Sequence, residues 1–388
     1  MNTTSDLKQH NAREILRTIQ HNGSISKNEV AEQLGISTVT AHTIIKELWN
    51  LGLCRPTGEM RYRGGRNAMS YEINGDYGLI ISVLLIRNSV TTMVYDFSLR
   101  LQYKDEQPVD IQDVWSCIRF TGEQIEKAIA SFPDKNILGI GISMPGRSDQ
   151  DGTILSIPDF PQWKHIPLGN IYREQFHLPV VIDNDNNALL LSTRWNGLST
   201  SHKSLAYLYI HGGVGMGFFS NGKLFHGNNG FACEIGHTTI QYDGPLCRCG
   251  NRGCIQTFLS HENLLEKMNK IRKEREEAPF DTLEQVLLYV KSNKDSELYQ
   301  VLSDALYFFA LLITHVINTF DPQTIYIRCE WLSTFPELFG KLNVLVQENC
   351  PWMRQDRIGI YLDDNQHVLL SSPACLFLET YFLKGLPV

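Results

Sequence analysis

Ile15, Leu16 and Ile19 fall on one face of a segment that is otherwise polar, which predicts a helix over 7–20 ended by Gly23. Ser26, with Glu29 three residues on, makes a capping box for a second helix, KNEVAEQL, that Gly35 stops. Ile36-Ser37 opens a third, TVTAHTIIKELWNLG, with Ile44, Ile45 and Leu48 turned inward. Two helices about one turn apart with glycine at the corner are a helix-turn-helix pattern. Ser37, Thr38, Thr40 and His42 begin the second of them, and small polar residues there suit phosphate and base-edge contacts in a major groove. After Gly52-Leu53 the stretch RPTGEMRYRGGRNAMSYEIN predicts a strand, a glycine-rich tip and a second strand, that is, a wing. Arg63 and Arg66 at its tip form a short arm suited to a narrow minor groove. A small helical packing domain with a solvated basic hairpin is the plainer alternative.

From residue 78 the pattern changes. GLIISVLLI is a continuous apolar strand, TTMVYDF and LRLQYKDE follow with a turn at Asp96-Phe97-Ser98, and a helix is expected over 113–131. ILGIGISMPG and LPVVIDND are further strands, the latter leading into the helix NALLLSTRW. SLAYLYIHGGVGMGFFSNGKLFHG reads as strands joined by glycine turns, and the last third as helical around one strand, QTIYIRCE. Alternating strands and helices imply α/β layers, with functional residues in loops at strand ends. No apolar run approaches the ~20 residues of a membrane span, so no membrane partner is expected.

Charge divides the chain. Its 388 residues carry a net charge of −7, yet residues 1–75 hold nine Lys/Arg against seven Asp/Glu, so an acidic body follows a slightly basic front end. That fits nucleic-acid contact through the front alone. No signal segment opens the chain, so the cytoplasm is the expected compartment and most of the nine cysteines are expected reduced and buried. One group differs: Cys247, Cys249 and Cys254 lie within eight residues, and His237 stands ten positions upstream. Three thiolates and an imidazole close a tetrahedral set suited to structural Zn2+.

The ordered motifs GIxxPG (Gly141–Gly146), DNDNNA (Asp183–Ala188), GGVGMG (Gly212–Gly217), EIGH (Glu234–His237) and CRCGNRGC (Cys247–Cys254) resemble the ROK family of sugar kinases and sugar-responsive repressors. The pairing of EIGH with CxCGxxGC is the specific part of the match, and a leading winged helix resembles what the repressor branch adds. The resemblance implies a winged helix-turn-helix over 1–75, then a two-lobed actin-like (ribonuclease H-like) ATPase fold of α/β class over 76–388 with a zinc loop at 237–254. It also implies sugar contacts at Asn184, Asp185 (the kinase general base), Glu234, His237 and the position of Gln256, where the family usually has Glu. Asp159 stands where relatives often have a sugar-contacting Asn.

The nucleotide elements of that family are poorly kept. Its DxGGTK turn is matched by Leu84-Leu85-Ile86-Arg87-Asn88-Ser89, its GTGIGGG turn only by Gly213, Gly215 and Gly217, and its adenosine-lining Gly-Gly pair is replaced at Arg328-Cys329-Glu330. Phosphoryl transfer is therefore not expected, and no residue is given a catalytic role. The expected protein is a sugar-responsive transcriptional regulator, a repressor by the family's commoner mode, that binds operator DNA and senses a sugar or sugar phosphate in the interlobe cleft. Ligand would shift a homodimer or homotetramer between states of different operator affinity. The alternatives are a sugar kinase with a fused DNA-binding domain and a scaffold acting through a protein partner.

Overall fold

A computed structural model describes residues 4–61, 68–157, 160–198, 203–228, 230–350 and 358–388. The chain divides into two compact units, Met1–Thr200 with His367–Val388, and Ser201–Gln366. Arg63, Arg66 and Asp159 lie outside the described residues.

The first unit opens with α1 (Thr4–Asn22), β1 (Ile25–Ser26), α2 (Lys27–Leu34), α3 (Thr38–Asn50), β2 (Cys54–Arg61) and β3 (Ala68–Ile73). The capping box forms as the sequence predicts: Ser26 Oγ accepts from Glu29 N, and Glu29 Oε2 accepts from Ser26 N at 3.0 Å. Gly35 ends α2 at φ +62°, a left-handed turn open to glycine at little cost. Ala41, Ile44, Ile45 and Leu48 of α3 pack inward against α1 and α2. The wing is a three-stranded antiparallel sheet in the order β1-β3-β2, since Ile25 and Ser26 pair with Tyr71 and Ser70. The sequence pattern leaves that third strand invisible because it is two residues long.

A five-stranded sheet follows, from β4 (Leu79–Leu85), β5 (Ser89–Asp96) and β6 (Leu101–Pro108), then α4 (Val114–Ala130) and β7 (Ile137–Met144). The short pair β8 (Arg147–Ser148) and β9 (Ile154–Ser156), α5 (Leu168–Phe176), β10 (Val180–Asn184) and α6 (Asp185–Trp195) complete it. Its order is β10-β7-β4-β5-β6, with β10, β7 and β4 parallel and the rest antiparallel. All seven residues of β4 are buried. Ile81 and Val83 pack with Ile118 and Ile125 of α4, while Ile80 and Leu84 belong to the core on the other face. Burial on both faces is why this strand is apolar throughout rather than alternating.

The second unit repeats that topology. β11 (Leu205–Ile210), β12 (Val214–Ser220), β13 (Lys223–Leu224), β14 and β15 form a sheet in the order β13-β12-β11-β14-β15. The helices α7 (Gln256–Leu259), α8 (His261–Glu274), α9 (Leu283–Asn293) and α10 (Ser296–Phe320) precede β14 (Thr324–Cys329). After it come α11 (Glu330–Thr334), α12 (Pro336–Asn349) and β15 (Gly359–Leu362). In each sheet an antiparallel meander is extended by two parallel strands beside its first strand. The last third thus holds a second strand, β15, where the sequence shows one. A further correction concerns α10: its 25 residues include an 18-residue stretch of mean hydropathy 1.6, long and apolar enough, by length and composition, to cross a membrane. It is the core helix of this unit, with Leu302, Leu306, Phe309 and Ile313 buried.

The chain then returns to the first unit. α13 (Gln366–Leu370) leads into α14 (Ser372–Phe377), which packs beside α6 and across β7. The approach is close: a Cβ at Gly141 would stand 1.9 Å from Pro373 O, which accounts for the first glycine of GIxxPG. Residues 374–386 also complete the core of the N-terminal head. Leu378, Leu383 and Leu386 share a cluster with Ile15, Leu16 and Ile19, and Arg13 Nε donates to Leu383 O at 3.0 Å.

Candidate DNA-reading face and metal loop

On α3 the inward residues 41, 44, 45 and 48 fix the opposite face, and Val39, His42, Thr43 and Lys46 lie there, all exposed. Thr38, Val39, His42 and Thr43 line an open concavity of about 630 Å³ whose other walls are Lys27 and Asn28 of α2 and Met69 and Tyr71 of β3. Thr38 and His42, expected from the sequence, are on this surface. Ser37 and Thr40 lie at the N-terminal end of the same helix, where they also bond each other. Ser37 Oγ caps α3 by accepting from Thr40 N at 3.0 Å, and the two hydroxyls bond each other at 2.8 Å. Val39 and Thr43 escape a reading based on residue type, but the periodicity of the buried face points straight at them. Arg55, part of the basic stretch, is held by Glu72 at 2.8 Å and Asp76 at 3.0 Å, so its charge is largely matched within the head.

Asn184 ends β10 and caps α6. Its Oδ1 accepts from Asn186 N at 2.9 Å and its Nδ2 donates to Gly146 O at 2.8 Å, which ties the DNDNNA and GIxxPG motifs together. Asp185 Oδ1 accepts from Asn186 Nδ2 at 2.8 Å, and Asp183 Oδ1 accepts from Asn187 Nδ2 at 2.9 Å. The carboxylate of Asp185 thus sits in the first turn of a helix, where its charge is favoured.

In the second unit, Glu234 is exposed and leads into a single 3₁₀ turn over Ile235–His237. A Cβ at Gly236 would meet Val214 O at 2.1 Å, so the EIGH turn rests on the backbone of the GGVGMG hairpin. Cys233, just before the EIGH turn, adopts φ +67°, a conformation glycine takes without strain. His237, Cys247, Cys249 and Cys254 converge, with their ligand atoms all within 4.8 Å of one another. His237 Nδ1 is 3.7 Å from Cys247 Sγ, and Cys249 Sγ is 3.7 Å from Cys254 Sγ. Four donors at about 2.3 Å from one ion in a tetrahedron stand roughly 3.8 Å apart, so this set could hold a metal. Burial first, then hydrogen bonding with the other two thiols, pushes the Cys254 thiol up to about 12. A cation would relieve that cost. Gln256 Nε2 donates to Cys247 Sγ at 3.2 Å, placing this side chain against the cluster.

The end of β14, where the resemblance leads one to expect a Gly-Gly pair, is filled. Arg328 is buried, 3.6 Å from Asp363, and donates to Asn365 O at 3.0 Å; Tyr207 Oη donates to Asp363 at 2.6 Å.

Comparison with known proteins agrees with this layout. A model of winged helix-turn-helix DNA-binding domains matches residues 9–53, and the ROK family model matches residues 105–349. A xylose repressor of Caldicellulosiruptor bescii is 30% identical over 86% of each chain. The transcriptional dual regulator NagC of Escherichia coli K12 is 26% identical over 84% of this chain and 81% of its own. The crystal structure of a ROK family transcriptional regulator, a homologue of the E. coli MLC protein, superposes with a TM-score of 0.76 at 20% identity, covering 97% of this chain and 98% of its own. The chain belongs to the ROK family and carries a winged helix-turn-helix head on an actin-like, two-unit body.

Proposed function

We propose that this protein is a sugar-responsive transcriptional repressor that binds operator DNA through α3 and its wing. The observation that carries the reading is the exposed Thr38–Thr43 face beside an open concavity, on a chain whose likeness to a xylose repressor runs through head and body together. Asn184 and Asp185 in the first unit and Glu234, His237 and Gln256 in the second are the proposed sugar contacts. They supply carboxylate, amide and imidazole groups of the kind that vicinal hydroxyls pair with. Asp159, Arg63 and Arg66 remain proposals from sequence alone. Zinc is the ion best suited to a His/Cys₃ set, and His237 would bind it through Nδ1, leaving Nε2 to carry the proton. The ion would fix the loop that carries Glu234, with Gln256 steadying one thiolate. We assign no phosphoryl transfer: Arg328 is buried and paired where the family's kinases need bare backbone. A reader of operator DNA works in the cytoplasm, as a homodimer or homotetramer that addresses paired half-sites.

The direct test is a mobility shift with the DNA upstream of the protein's own gene, titrated with xylose, N-acetylglucosamine, glucose and their phosphates. Specific retardation relieved by one sugar is the expected result; retardation that no sugar alters removes the sensing role. Phosphate release from ATP with any of those sugars would restore the kinase reading. For the metal, zinc analysis of the purified chain should give about one ion per chain. Cys249→Ala should lose the ion and lower Tm, and an equally stable, zinc-free wild type would refute the assignment.

A further inference from the structure

The outward face of α3 carries an apolar side chain among polar ones. Val39 is 74% exposed at the second position of the helix, between Thr38 and Thr40 and one turn before His42 and Thr43. Among the described residues it makes no part of the core, and a β-branched residue at an exposed helix position is among the poorer helix formers. The same branching fixes its methyls, because valine on a helix has one dominant rotamer. Its neighbour adds to the apolar character, since Thr43 Oγ1 gives its hydrogen to Val39 O at 2.9 Å and leaves no hydroxyl hydrogen for a base. Among the four bases, thymine alone presents a methyl group in the major groove, at C5.

We propose that Val39 is a specificity-determining residue that reads a thymine by packing on its C5-methyl, with Thr38 and His42 making the polar contacts around it. The assignment rests on the DNA-binding reading above. The full-length chain is used to select a duplex from a random pool. Each thymine of that duplex is then replaced in turn by deoxyuridine, which removes the methyl alone. Binding of the wild type and of Val39→Ala is measured, with melting curves to confirm that the exposed substitution leaves the fold intact. At one thymine per half-site, uracil should weaken wild-type binding about fourfold, the change expected from one methyl group's burial. Val39→Ala should be indifferent to uracil at that position, and Val39→Thr, which keeps a methyl, should recover part of the discrimination. If no uracil weakens the wild type, or if Val39→Ala responds to the same uracil as the wild type does, the assignment falls while DNA binding stands. A wild type that selects no duplex overturns both.

Discussion

His261 is buried against His211, with ring centroids 4.7 Å apart, and its Nε2 has no hydrogen-bond partner among the described residues. Burial, and then the neighbouring imidazole, lowers its pKa to about 3, although Glu330 stands 3.8 Å from Nδ1. The unfolded chain takes up this proton near pH 6.5 and the folded chain does so only near 3. The neutral ring therefore costs nothing above pH 6.5, and stability falls as pH drops from there toward 3, by at most about 1.4 kcal/mol per unit. Urea midpoints at pH 7.5 and 5.5 should differ for the wild type, and the difference should shrink in His261→Gln. An unchanged difference would assign the acid sensitivity to other groups. Such a residue is opaque in sequence: a lone histidine after Ser260 carries no sign of a buried partner at position 211.

At the scale of single elements, α3 shows how much a sequence pattern tells and where it stops. The helix ends were legible because they are local chemistry: Ser26 with Glu29, Gly23 and Gly35 all act within four residues of themselves. The clustering of His237 with three cysteines was legible for the same reason, since those three cysteines lie within eight residues. The division of labour on α3 was not, because Ser37 can cap a helix, meet a phosphate or do both, and residue type alone does not say which. Ser37→Ala should cost about 1 kcal/mol of stability, read in urea. Ser37→Asn, which caps equally well, should keep both stability and operator affinity; lost affinity with retained stability would return Ser37 to the DNA contacts. Arg55 eluded the pattern similarly, since its partners Glu72 and Asp76 lie 17 and 21 residues away.

For the whole molecule, the long-range return of residues 367–388 is the feature that no periodicity announces. It brings Glu379 to Arg17, with the guanidinium donating at 2.7 and 2.5 Å to the two carboxylate oxygens and both side chains less than a tenth exposed. Glu379→Gln leaves a buried guanidinium short of its partner and should cost about 3 kcal/mol in urea unfolding, the low end for a broken buried pair, because Glu14 still bonds Arg17. A cost below 1 kcal/mol would mean that the pair is dispensable to the head. The separation also sets an order of events. Arg13 and Leu383 are 370 positions apart, which at ordinary rates of synthesis is roughly 20–70 s of translation. The helices of the head thus leave the ribosome well before the segment that completes their core. A chain that stops early is expected to leave its head with an uncovered apolar flank, ready for proteases. It would not persist as a DNA reader cut loose from its sensor, so the gene's incomplete products should be silenced by their own instability.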